Sequence, residues 1–231
     1  MIAILSMPEA LLPLAQRILD VFGGYALLAV LIIGVVHGLK PDEHTWPITI
    51  SYAMMQRDVG GAVLSTMTFA GALTLVWTAL SAAVGLLPSS MFQGAYDWLV
   101  DVVVGVTMIS IAGLYLHKER AEEGKAPAAP DYRAIWIHGL AAAFGGDFFV
   151  VLLLALSVKA LSSSFPLALV GFLFGAGSFV GQIGVVLAAY KGLLKAVRAP
   201  EILVRAGRLS LLILGFFLLG LGIYNLFIYS S

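Results

Sequence analysis

The 231-residue sequence contains no cysteine, which excludes disulfide frameworks, thiolate metal sites, iron–sulfur clusters and CxxC redox chemistry. Charge is scarce as well, because Lys, Arg, Asp and Glu make up 11% of the chain, against about 25% in typical soluble domains. The formal net charge is zero, so nothing indicates nucleic acid as a partner. The chain also lacks an HExxH pair, a nucleophile beside a base and a nucleotide-binding motif. We therefore do not expect an enzyme.

The chain is instead rich in apolar residues, with 61% hydrophobic residues and a mean hydropathy of +1.00. This composition predicts an all-α, multi-pass protein of the cell membrane, with the lipid bilayer as its partner. Six runs are long and apolar enough to cross about 30 Å of hydrocarbon. They are residues 21–39, 59–86, 98–117, 134–158, 166–190 and 209–229. Residues 42–56 are marginal for a crossing, so six or seven transmembrane helices are expected.

The two halves of the chain resemble each other in sequence. His37-Gly38-Leu39 recurs as His138-Gly139-Leu140 at an offset of 101, and Gly113-Leu114-Tyr115 finds Gly222-Ile223-Tyr224 at 109. Between them, the Ala-Gly pair at 70–71 recurs at 176–177. Three matches in the same order predict a repeat. Three crossings per half would make the repeats inverted, a plan common in secondary transporters.

The repeat divides the chain into four segments. They are an interfacial amphipathic helix at 1–21, a first transmembrane repeat at 22–117, a soluble linker at 118–133 and a second repeat at 134–231. The first helix of each repeat is predicted to be discontinuous, because Pro41 ends the first helix by removing a donor and clashing with the preceding turn. In the second repeat the break is predicted at Gly145-Gly146.

The basic residues predict the orientation in the membrane. If each half crosses three times, ten of the thirteen lie on one side, and the positive-inside rule makes that side cytoplasmic. The loops at 118–133 and 191–208 would then be cytoplasmic. The ten residues are Arg57, Lys118, Arg120, Lys125, Arg133, Lys191, Lys195, Arg198, Arg205 and Arg208.

Residues 37–44 are the densest polar stretch in this apolar sequence. His37, Asp42, Glu43 and His44 lie within eight residues, and polar groups at membrane depth are costly unless something uses them. Nitrogen and oxygen ligands without thiolates suit Ni²⁺, Co²⁺, Zn²⁺ or Mn²⁺. We therefore predict a metal site here. The alternative is an interfacial loop in water, where these residues cost nothing.

The second half repeats this chemistry more sparsely. His138 is the residue equivalent to His37 in the second half. Asp147 lies in a run from 134 to 158 that is otherwise without charge. An acidic residue in such a run is expected to face a cavity or a partner. His138 and Asp147 are therefore predicted to complete or gate the site.

The segment His37-Gly38-Leu39-Lys40-Pro41-Asp42-Glu43-His44 resembles the H-x4-D-H signature of the nickel/cobalt transporter family and its relatives, the nickel/cobalt efflux and urease-accessory membrane proteins. His37 and Asp42 match directly, whereas Glu43 separates Asp42 from His44 by one residue more than in the signature. The stretch from His138 to Asp147 is similar to the family's second-half motif region. The resemblance implies a secondary transporter of Ni²⁺ or Co²⁺, with the metal as cargo and no resident cofactor.

Two other functions are compatible with the sequence. One is a non-metal small-solute exporter of the same superfamily fold, and the other is an intramembrane metalloenzyme in which the cluster activates water. Among the remaining polar residues, Gln182 is expected to line the pathway or to make a packing hydrogen bond. Asp97 and Asp101 are explained by capping of a helix on the outer side. The small residues at 175–178 predict close helix contact.

Overall fold

The computed structural model describes residues 25–40, 45–56, 58–84, 97–121, 130–145, 147–161, 166–196 and 200–230. Within these ranges the fold is all-helical and has no strand. The helices are α1 (Ala26–Leu39), α2 (Trp46–Met54), α3 (Val59–Ala83), α4 (Asp97–Ala121), α5 (Tyr132–Ala142), α6 (Asp147–Leu161), α7 (Ala168–Ala196) and α8 (Pro200–Ser230). The predicted interfacial helix at 1–21 and half of the predicted linker, residues 122–129, lie outside the described residues.

The structure has helix breaks at both positions predicted from the sequence. α1 ends at Leu39, and Lys40 is extended at φ −76° and ψ 131°, as expected of a residue that precedes a proline. α2 begins anew with a proline in its first turn, where a missing N–H costs nothing. In the second half α5 ends at Ala142 and α6 begins at Asp147. Each half therefore consists of two short helices followed by two long ones.

Three of the described helices contain a 25-residue stretch that is long and apolar enough to cross a membrane. These stretches are Val59–Ala83, Ala168–Gly192 and Val204–Ile228. Shorter apolar helical stretches occupy Ala26–Leu39, Asp101–His117 and Val150–Lys159. These three stretches support the membrane character predicted from composition, and the six or seven crossings stay a prediction.

The predicted basic loop at 191–208 is largely helical. α7 continues to Ala196 and α8 begins at Pro200, so three residues separate the two helices. Hydropathy locates the edge of an apolar stretch, whereas a helix ends where its backbone hydrogen bonds end, and lysine and arginine are good helix formers. The helices therefore extend beyond the apolar stretches.

Glycines bring α1 and α7 into backbone contact. A Cβ atom at Gly181 would lie 2.5 Å from the Val35 carbonyl oxygen and 2.9 Å from the Cα of Gly38. On α1, Gly34 packs on the backbone of Phe174 and Gly38 packs on that of Ser178. Such small-residue contacts are typical of helix pairs in membranes. The close contact predicted for 175–178 is confirmed, and its partners are α1 at Gly177 and Ser178 and α3 at Gly175.

The order of contacts along each pair gives the helix directions. Gly34 and Gly38 meet Phe174 and Ser178 in the same order, so α1 and α7 are parallel. Gly139 of α5 packs on Phe69 of α3, and the Ala143 carbonyl that follows α5 meets Trp77 of α3, so α5 and α3 are also parallel.

The long helices pair in the opposite sense. Gly171 packs on Trp77, whereas Gly175 packs on Thr74, which makes α3 and α7 antiparallel. Because α1 is parallel to α7 and α5 is parallel to α3, the two short helices α1 and α5 run in opposite directions. α4 and α8 are antiparallel as well, since Gly222 meets Trp98 and Gly215 meets Met108.

One end of the bundle gathers residues from three helix termini. The Tyr190 hydroxyl of α7 donates to the Gln56 carbonyl oxygen at 3.1 Å, and the Tyr132 hydroxyl of α5 donates to the Gln56 Oε1 at 3.5 Å. Arg133 and Lys191, which follow these tyrosines in sequence, are exposed. The two basic residues that were predicted to share a side therefore lie at the same end of the molecule.

Candidate cation site

The two histidines of the repeat are both buried. His37 lies in the last turn of α1 with 1% of its surface exposed, and His138 lies in α5 with none exposed. Asp42, Glu43 and His44 lie outside the described residues. Asp147 is the first residue of α6, and its side chain is outside the described part of the chain.

Aromatic rings from two long helices enclose His37. The imidazole centroid lies 5.0 Å from that of Phe174 on α7 and 6.0 Å from that of Trp77 on α3. Gly34 and Gly38 place α1 close enough to α7 for this contact. The ring of His37 thus lies where a helix of the first half meets one of the second half.

His138 has a related environment with a polar contact in addition. Its ring lies 5.8 Å from Phe69 of α3 and 5.7 Å from Tyr52 of α2. A hydrogen bond of 2.9 Å joins the Tyr52 hydroxyl to Nδ1 of His138. His138 belongs to the second half and both partners belong to the first, so this contact also crosses between the halves.

An indole N–H caps the C-terminal end of α1 and another caps that of α5. Nε1 of Trp46 donates to the Gly38 carbonyl oxygen at 3.0 Å, and Nε1 of Trp77 donates to the Ala143 carbonyl oxygen at 2.9 Å. Both carbonyls belong to the C-terminal turn or to the residue that follows it. The C-terminal end of a helix carries partial negative charge and favours cations. Both short helices therefore present cation-favouring ends inside the bundle.

Within the described ranges, no group of three or more His, Cys, Asp or Glu side chains is placed to hold a metal ion. His37 and His138 are the two predicted ligands whose side chains the structure describes. No family model, curated protein or solved structure matches this chain. The chemistry of the site is therefore inferred from its own residues.

An apolar groove of about 490 Å³ lies between α3, α5 and α7. It contains no charged side chain, and its polar groups Thr74 and Thr78 each donate to a carbonyl of their own helix. The groove is thus unsuited to a cation. Its lining comprises Met67, Ala70, Gly71, Thr74, Leu75, Thr78, Trp136, Phe172, Ala176 and Phe179.

Two charged residues are buried where the sequence suggested exposure. Arg208, expected in a loop, is 2% exposed in α8, and its guanidinium lies 5.7 Å from the centroid of the Tyr115 ring. Asp101, expected to cap α4, is 5% exposed and accepts a 3.4 Å hydrogen bond from Nδ2 of Asn225. The positions of these two charges in the sequence do not indicate their burial, because it depends on the pairing of α4 with α8.

Tyr52→Phe is expected to lower the stability of the protein by about 1–3 kcal/mol, since it removes one partner of a buried hydrogen bond. For a chain of this length that is a fall of several degrees in the thermal midpoint. Tyr224→Phe is the matched control, because Tyr224 is 63% exposed and its change is expected to stay within about 0.5 kcal/mol. Thermal unfolding in one detergent compares the two variants, and equal midpoints would contradict the role of the Tyr52–His138 bond.

Proposed function

We propose that this chain is a secondary transporter of a divalent transition-metal cation, with Ni²⁺ or Co²⁺ favoured over Zn²⁺ or Mn²⁺. The observation that carries the proposal is the pair of short helices that enter the bundle in opposite directions, each with a buried histidine before its C-terminal end. Oppositely directed half-helices whose C-terminal ends approach a central cation site are typical of secondary transporters.

The contacts between most helix pairs support an inverted repeat, whereas the pairings of α2 with α8 and of α4 with α5 have no equivalent of comparable extent among the described helices. Exchanging the halves maps α1 to α5, α2 to α6, α3 to α7 and α4 to α8, and the observed pairing of α1 with α7 then corresponds to that of α5 with α3. The pairings of α2 with α3 and with α7 correspond in the same way to those of α6 with α7 and with α3. Equivalent long helices are antiparallel, as inversion requires. We therefore infer two inverted repeats whose first helices are exchanged.

The residues favour a cation over an anion. Imidazole nitrogens suit Ni²⁺, Co²⁺ and Zn²⁺, and the helix ends beside them add negative partial charge. In this proposal His37, Asp42, Glu43 and His44 supply ligands from the first half, and His138 and Asp147 supply them from the second. The exposed Arg133 and Lys191 share one end of the bundle, which supports a cytoplasmic position for that end in the cell membrane.

The first test is metal binding and flux with the purified full-length protein. Ni²⁺ or Co²⁺ at a hundred times its dissociation constant should stabilise the folded state by about 2.7 kcal/mol by mass action. Mg²⁺ and Ca²⁺, which prefer all-oxygen sites, serve as control ions and should give no comparable shift. Saturable ⁶³Ni²⁺ flux into proteoliposomes should accompany this stabilisation.

The outcomes separate the candidate functions. Stabilisation together with flux supports transport of the metal. Neither stabilisation nor flux with Ni²⁺, Co²⁺, Zn²⁺ or Mn²⁺ would contradict the metal proposal and leave the fold to a non-metal small-solute exporter.

A further inference from the structure

Gln182 is a buried amide beside the C-terminal end of α1. It lies on α7 with none of its surface exposed. Its backbone adjoins the last turn of α1, because a Cβ atom at Gly38 would lie 3.0 Å from the Gln182 backbone nitrogen. Gly38 directly follows His37 in the chain. The glutamine is therefore close in space to the predicted site of the first half.

The nitrogen of this amide has a hydrogen-bond partner, whereas its oxygen has none among the described residues. Nε2 of Gln182 donates to the Ser178 hydroxyl at 2.9 Å. Oε1 accepts no hydrogen bond from any described residue and is fully buried. A buried polar atom without a partner costs about 1–3 kcal/mol. A protein that keeps such an atom in its interior is expected to use it.

The position of Gln182 in the repeat indicates a role for its unpartnered oxygen. Phe69 and Phe174 contact the two repeated histidines and differ by 105 positions, and the same offset takes Trp77 to Gln182. Trp77 donates its N–H to the carbonyl at the end of α5. The equivalent position on α7, next to the last turn of α1, is Gln182, whose side-chain oxygen has no hydrogen-bond donor among the described residues. Both helix ends carry partial negative charge, and the end of α1 differs in having a buried amide oxygen without a donor on the helix beside it.

We infer that the Gln182 side-chain oxygen is a further ligand, direct or through one water, for the transition-metal cation bound at the C-terminal end of α1 beside His37. This inference rests on the proposed function. Amide oxygens are good ligands for divalent cations. A cation there would satisfy the buried oxygen and would add to the favourable interaction with the helix end.

Gln182→Leu and Gln182→Glu test the inference in the purified full-length protein. Co²⁺ affinity is measured by titration of its visible absorption and by calorimetry, and thermal unfolding is measured without metal. Gln182→Leu is expected to weaken Co²⁺ binding by about tenfold or more. Its metal-free midpoint should stay the same or rise, because an unsatisfied polar atom has been removed. Gln182→Glu keeps an oxygen and should retain binding.

The matched control is Gln56→Leu, which removes another buried glutamine, 5% exposed, at the end of the bundle that carries Tyr132 and Tyr190. Its Co²⁺ affinity should equal that of the wild type. Wild-type affinity in Gln182→Leu, with Co²⁺ bound normally, would overturn the ligand role and leave the proposed function intact. Failure of the wild type to bind Co²⁺, Ni²⁺, Zn²⁺ or Mn²⁺ would overturn the proposed function and this inference with it.

Discussion

Gly181→Leu is expected to separate α1 from α7 and to destabilise the protein by about 3 kcal/mol or more. The added side chain would begin 2.5 Å from the Val35 carbonyl oxygen and 2.8 Å from the Gly38 carbonyl carbon. Backbone atoms on both sides leave no flexible side chain that could yield. The variant should elute as aggregate, or unfold at a much lower temperature than the wild type, when size exclusion and thermal unfolding are compared in detergent.

Gly184→Leu is the matched control for this substitution. Gly184 lies on the same helix three residues further on, and a Cβ atom there meets nothing within 4 Å. The control should be neutral or slightly stabilising, because leucine has the better helix propensity by up to about 1 kcal/mol. Equal loss of stability in the two variants would mean that the helix does not tolerate leucine generally, and the α1–α7 contact would not be the cause.

His37→Asn and His138→Asn are each expected to reduce saturable Ni²⁺ flux by at least about tenfold, since even the partners that orient a metal ligand are worth 10–100-fold in affinity or activity. Asparagine keeps a polar side chain of smaller volume and limits the cavity that alanine would leave among Phe174, Trp77 and Phe69. Flux is measured in proteoliposomes at equal protein density, with size exclusion to verify that each variant is folded.

His117→Asn is the control, because His117 is exposed near the end of α4 and belongs to neither histidine environment. It should transport at the wild-type rate. Full activity in both buried-site variants would remove His37 and His138 from the transport site, whereas loss in only one of them would assign the ligand to one half.

Local chemistry accounts for what the sequence predicted well. Proline dictates the end of α1 through the conformation it imposes on Lys40, and the small residues at 175–178 indicate a helix contact because only small side chains permit it. Each of these features depends on a few adjacent residues.

Features that depend on pairing between the halves could not be predicted. The residues adjacent to Arg208 in the sequence do not predict its contact with the ring of Tyr115. Those adjacent to His138 do not predict its hydrogen bond with the hydroxyl of Tyr52. The hydrogen bond between Tyr52 and His138 spans 86 positions. Hydropathy is averaged over a stretch of neighbouring residues. A stretch has the same mean hydropathy whether its one arginine is buried or exposed.

The packing of α1 on α7 has a consequence for biosynthesis. α1 has 14 residues, or about 21 Å at 1.5 Å per residue, and its backbone partner at Ser178 is 140 positions further along the chain from Gly38. The ribosome must therefore release α7 before α1 can dock. Until then Gly34 and Gly38 lack their backbone contacts with α7, and the bundle becomes complete only when nearly the whole chain has been translated.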